Sequence, residues 1–120
     1  MTRQMILGAY MVFPSMHSAG MWRHSYSENA FEDRALYERY AQAAERAKFD
    51  LILIPERVHY VDGHTKYGLL TGFQHDPTQL AAVVAGATNR IGLGVTLSAS
   101  FNSPYNLART LGSLDILSGG

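Results

Sequence analysis

Cysteine is missing altogether from these 120 residues, which excludes disulfides and thiolate metal sites. That absence fits a cytoplasmic protein. Charge of either sign has no surplus, because ten Lys and Arg stand against ten Asp and Glu. A nucleic-acid footprint or an anionic-membrane surface needs a basic excess, so neither partner is expected. No run approaches the ~20 apolar residues that a membrane span requires. Low-complexity linkers and sequence repeats are lacking too, and no domain boundary is visible. Proline is scarce, and two of the four, Pro77 and Pro104, stand where a helix would begin. The apolar stretch 5–13 behind Arg3 has two readings, a signal-peptide core or a first buried strand. It is short and carries Gly8 and Tyr10, which favours the strand.

What is present is an alternation of strand and helix patterns. Residues 5–12 read as a first strand, followed by a long polar loop rich in Met and aromatic side chains. Asn29 with Glu32 three residues on forms a capping-box signature. A helix ending near Lys48 follows, with Leu36, Tyr40, Ala43, Ala44 and Ala47 on one face. Leu51–Ile54 is a purely aliphatic run, a second buried strand. Asp76-Pro77 starts the next helix, whose stripe is Leu80, Val83, Val84 and Ala87. Residues 91–97 form a third strand pattern, broken only by Gly92, Gly94 and Thr96. Ser103-Pro104 opens a last helix with Leu107, Leu111, Leu114 and Leu117 as its stripe, facing the sheet. Ser118-Gly119-Gly120 suits a left-handed cap.

Strand starts near residues 5, 51 and 91 lie about 46 and 40 residues apart. Three βα units with right-handed crossovers predict a parallel sheet. Such a sheet must be covered on both faces or closed on itself, and three strands cannot close a barrel. The first part of a longer protein is therefore expected, with a complete small three-layer domain as the alternative.

Chemistry is sparse in the pattern. His17, His24, His59, His64 and His75 show no HxH or HExxH arrangement, so no metal site is expected. Glu56 comes two residues after the buried run 51–54, a position that projects a carboxylate into the mouth of the sheet. An exposed acid paired with Arg57 is the competing reading. Gly92 and Gly94 give only a GxG, which does not support a dinucleotide fingerprint. Glycines so placed mark a bulge or the close approach of something planar. Small polar groups at Ser98, Ser100 and Asn102 gather at the end of the third strand, where α/β proteins put their chemistry.

Four segments carry a resemblance to a known family. They are Gly20-Met21-Trp22-Arg23-His24, Ala44-Glu45-Arg46-Ala47-Lys48-Phe49-Asp50, Arg90-Ile91-Gly92-Leu93-Gly94 and residues 103–120 with their SPYNLAR and SLDILSGG. In order and spacing they resemble the bacterial luciferase-like, flavin-dependent monooxygenases, in the branch of nitrilotriacetate, dibenzothiophene-sulfone and long-chain alkane monooxygenases. The resemblance implies a (β/α)8 TIM barrel, of which this chain supplies about the first three βα units. Residues 1–120 would then be the N-terminal fragment of a single barrel domain.

It also implies flavin mononucleotide (FMN), reduced by a separate flavin reductase and used with O2 to oxygenate a small organic substrate. The full-length protein would be a homo-oligomer. The family's acidic flavin contact after the second strand falls on Glu56, here Pro55-Glu56 in place of the usual aspartate and so one methylene longer. Thr96 and Ser98 match the family pattern that packs against the flavin ring. His17 and Trp22 fall on the substrate side, with Trp22 walling the pocket or merely packing its loop. Ser25 stands where the family has proline after Trp-Arg-His, so that loop's exit is less constrained. Two other outcomes remain open, a non-catalytic flavin-binding barrel relative and a fragment with no independent activity.

Overall fold

A computed structural model of the chain describes residues 4–12, 25, 33–58 and 75–120. Six elements alternate in order: β1 (Gly8–Tyr10), α1 (Arg34–Arg46), β2 (Leu51–Ile54), α2 (Pro77–Ala87), β3 (Gly92–Val95) and α3 (Pro104–Ser118). The strands form one parallel sheet in chain order, β1-β2-β3. β1 is shorter than the expected 5–12, but its flanks are still tied. The Leu7 carbonyl accepts from the Asp50 and Leu51 N–H groups, and the Met11 N–H donates to the Leu53 carbonyl.

Register sorts the side chains onto two faces. Ala9 lies beside Ile52, and Ile52 and Ile54 lie beside Leu93 and Val95. This face packs against the helices, with Ile52 and Ile54 essentially inaccessible, as are Ala41, Ala81 and Val84 above them. The other face carries the rows Gly8–Leu51–Gly92 and Tyr10–Leu53–Gly94. A Cβ on Gly92 would sit 3.0 Å from the Asp50 carbonyl oxygen, and one on Gly94 would sit 3.2 Å from Leu53 Cδ1. These glycines make room for the leucines of the neighbouring strand. The ladder is regular there, so of the two readings for these glycines the bulge is not formed.

The helix ends follow local chemistry. Asp76 Oδ1 accepts from the Thr78 and Gln79 N–H groups, and Pro77 occupies the first turn, where its missing N–H costs nothing. Ser103 Oγ caps α3, and Gly119 closes it at φ 91° in the left-handed region. Residues 29 and 32, the expected capping box of α1, lie outside the described residues, and the helix is preceded by Asp33.

Two helical faces differ from expectation. On α1 the buried residues are Tyr37, Ala41 and Ala44, while Leu36 and Tyr40 are half-buried and Ala43 and Ala47 are exposed. Tyr37 decides this register: its ring meets His75 edge-on at 5.8 Å, and burial pushes its phenol up to about 12. On α3 no residue is fully buried. Leu107 and Leu114 are half-buried, whereas Leu111 is 41% and Leu117 85% exposed. The helix packs chiefly against α2, not across the sheet, so only part of the leucine stripe is covered.

Candidate functional site

The C-terminal ends of β2 and β3 are joined by side chains, and the sequence explains why. Ile54 ends β2, and its carbonyl accepts the Thr96 N–H at 3.1 Å, one step beyond β3. Pro55 has no N–H and terminates the ladder. The next free donor, the Glu56 N–H, turns instead to Thr96 Oγ1 at 2.6 Å. The Glu56 carboxylate reaches across in return and accepts the Ser98 N–H on Oε2. The two strand ends therefore clasp each other reciprocally.

Glu56, Thr96 and Ser98, the three residues expected around a flavin, are thus brought together. Glu56 and Ser98 are half-buried and Thr96 is exposed. Glu56 makes no ion pair with Arg57, so the exposed-pair reading fails. Among the described residues its second oxygen, Oε1, has no donor, and the Ser98 hydroxyl has no partner. The site offers a fixed acceptor carboxylate beside two hydroxyls at the open end of a parallel sheet.

Asn102, read in the sequence only as one of several small polar residues after the third strand, has a specific role that sequence reasoning missed. Its Nδ2 donates to the Ser98 carbonyl at 2.9 Å, and the Phe101 N–H approaches the same oxygen at 3.3 Å. An amide-bearing residue shortly before the Ser103-Pro104 helix start, seven positions beyond the end of β3, was the available signal. At the β1 end, Tyr40 Oη donates to the Tyr10 carbonyl at 3.0 Å. His17 and Trp22 lie outside the described residues, as do four of the five histidines. Among the described residues no group of His, Asp and Glu has the makings of a metal site.

A groove of about 390 Å³ lies elsewhere, between α2, β3 and α3. Ile91, Leu93, Leu111 and Leu114 line it with Arg90 and Asp115, and it includes none of Glu56, Thr96 and Ser98. Its place is in the helical layer, toward the N-terminal end of β3.

The family model for luciferase-like monooxygenases matches residues 11–120. The chain belongs to this family. It is 35% identical over 126 residues to dibenzothiophene-sulfone monooxygenase of Rhodococcus erythropolis, covering 98% of this chain and 28% of that protein. Component A of nitrilotriacetate monooxygenase from Aminobacter aminovorans is 29% identical over 98% of the chain and 28% of its own length. Among solved structures, a riboflavin lyase with modified FMN and its substrate riboflavin superposes with a TM-score of 0.84 at 26% identity. That match covers 98% of this chain and 28% of the lyase. The chain therefore spans little more than a quarter of its relatives' length. Its three parallel βα units are the opening units of the luciferase-like (β/α)8 barrel. No helix among the described residues is long and apolar enough to cross a membrane.

Proposed function

We propose that this chain is the N-terminal fragment of a single barrel domain in an FMN-dependent, two-component monooxygenase that oxygenates a small organic substrate. The observation that carries the reading is the Glu56–Thr96–Ser98 clasp at the C-terminal ends of adjacent barrel strands. Active sites of such barrels are built at that face. The donor set fits a flavin ring. Its pyrimidine edge presents an N–H between two carbonyls, and here a carboxylate oxygen with no donor among the described residues lies beside two hydroxyls.

In this reading Glu56 orients the flavin edge, and Thr96 and Ser98 fix its plane. His17 and Trp22 face the substrate. The chemistry a reduced flavin supplies when bound is two-electron activation of O2, with one oxygen atom entering the substrate and the other leaving as water. The chain's own residues bind and orient the ring and help to exclude water. A relative named as component A of a monooxygenase supports a separate reductase as the partner that delivers reduced flavin. The protein acts in the cytoplasm as a homo-oligomer.

The 120 residues alone bind FMN poorly. In this barrel class phosphate is held after the late strands, beyond the three units present here. Charge-assisted hydrogen bonds contribute ~1.5–3 kcal/mol each, so losing several moves a micromolar site into the millimolar range. Titration with FMN, followed by quenching of flavin fluorescence, tests both statements. Saturable micromolar binding is expected of the full-length protein. The same affinity in residues 1–120, or none in the full-length protein, overturns the assignment. Product formation with a supplied reductase then separates a monooxygenase from a non-catalytic flavin-binding relative.

A further inference from the structure

Ser98 is held on both sides of its α-carbon by side chains from different elements. Its N–H donates to Glu56, which follows β2, and its carbonyl accepts from Asn102, in the turn before α3. The first bond fixes the peptide plane before Ser98 and the second fixes the plane after it. Because peptide groups are planar, pinning both planes sets φ and ψ of Ser98. With φ and ψ set, the direction of the Cα–Cβ bond is set too, and so is the place from which the hydroxyl departs. Pinning the Ser98 carbonyl also orients the Ala99 N–H, which shares its plane.

The Phe101 N–H, at 3.3 Å, is a longer and weaker hold on that carbonyl than the Asn102 amide at 2.9 Å. The neighbouring side chains Ala99, Ser100 and Phe101 are exposed. Asn102 itself is half-buried, 2.9 Å from the one carbonyl it serves. Without its amide the Ser98 carbonyl keeps only the longer Phe101 N–H contact, and the turn 98–102 is held chiefly from the Glu56 side.

We propose that Asn102 is a positioning residue for the flavin site, acting through Ser98 and, by way of the Ser98 N–H, through Glu56. The inference rests on the flavin reading above. It requires a side-chain donor at 102, so aspartate, which has the same shape but no donor, fails as alanine does. Glutamine keeps the donor on a longer arm and restores part of the effect.

The experiment measures FMN affinity, the visible absorption bands of bound flavin and the melting temperature in the full-length protein. The variants are Asn102→Ala, Asn102→Asp and Asn102→Gln, with Ser113→Ala as a control on the far side of α3. Asn102→Ala and Asn102→Asp should weaken FMN binding about tenfold, the scale of one well-placed hydrogen bond, and shift the flavin bands. Melting temperatures should stay near that of the unaltered protein, and Asn102→Gln should regain part of the affinity. Unchanged affinity and spectra in the alanine and aspartate variants overturn the inference. A loss of affinity that only tracks a loss of melting temperature overturns it as well. If the alanine variant does not fold, equal FMN binding by the aspartate and glutamine variants overturns it. Failure of the unaltered protein to bind FMN is seen before any variant is made, and it overturns the flavin reading together with this inference.

Discussion

At the N-terminal end of the sheet, Glu45 reaches from the last turn of α1 to the approach of β3. Three successive backbone N–H groups, from Asn89, Arg90 and Ile91, converge on its Oε1 at 2.9, 2.6 and 3.1 Å. Asp50 does similar work nearby, accepting the Leu7 N–H at 2.8 Å, and Gln42 donates to the Ala87 carbonyl. At the C-terminal end Glu56 accepts one N–H and leaves its other oxygen without a donor among the described residues. Glu45 ties the first βα unit to the approach of the third, and Glu56 ties the second to the third. The lower one is committed to backbone at three points, while the upper one keeps capacity for something else. That asymmetry is the expected division of a βα barrel, stability at one face and chemistry at the other.

The comparison can be broken most severely from the middle. Ile52 is fully buried in the central strand, between the two ends. Ile52→Ala should cost ~2–5 kcal/mol in the full-length protein by denaturant unfolding and weaken both ends together. A cost below ~1 kcal/mol would mean that the ends are held independently of the strand joining them.

Glu56→Ala should weaken FMN binding by roughly 10- to 100-fold, the worth of one or two hydrogen bonds to a charged group. Its melting temperature should change little. Glu45→Ala should do the reverse, lowering the melting temperature while leaving FMN affinity intact. Equal effects of the two variants on both readouts would erase the distinction between the faces.

The lower tie should also respond to acid. Hydrogen bonds from the Asn89 and Arg90 N–H groups chiefly hold the Glu45 carboxyl below its ordinary value; burial opposes them, and the Ile91 N–H and the Arg90 charge add smaller lowering effects. The folded state therefore prefers the ionised form. Its contribution is fully present above the unfolded value near 4.5 and is lost as pH falls through the depressed folded value. Thermal melts from pH 6 to pH 3 should show a steeper decline in the unaltered protein than in Glu45→Gln. Parallel curves would remove Glu45 from the account.

Asp76 gives the smallest effect. The Thr78 hydroxyl, followed by the Thr78 and Gln79 N–H groups, lowers its pKa against the opposing effect of burial. Asp76→Ala should cost ~1 kcal/mol, the usual worth of an N-cap, and leave FMN affinity unchanged. A change in affinity would show that the start of α2 takes part in the upper face.

What was legible in the sequence follows from how local each signal was. Leu51–Ile54 was readable to the residue because four aliphatic side chains in a row can hardly be anything but a buried strand. Asp76-Pro77, Ser103-Pro104 and Gly119 marked helix ends because caps are made by neighbours in the chain. The register of α1 was not legible. Its stripe is mostly alanine, which scarcely prefers either face, and the deciding contact of Tyr37 is with His75, far along the chain. The roles of Glu45 and Asn102 were hidden for a related reason. Each is defined by a backbone group it meets in three dimensions, and backbone groups leave no mark in a sequence. Glu56 and Ser98 stood out by their places after buried strands, Thr96 and the flavin roles came through family resemblance, and the clasp joins the three positions.

The strand order has a consequence for how the molecule is made. Since β1, β2 and β3 lie side by side in the order of the chain, each strand finds its partner edge already assembled when it leaves the ribosome. Loop closure then spans one crossover at a time, which keeps contact order low for a parallel sheet. Among the described residues nothing pairs with the outer edge of β3, a row of donors and acceptors next to the groove between α2, β3 and α3. During synthesis that edge is the place most exposed to pairing with the wrong chain, and the pace of translation just after it sets how long the exposure lasts.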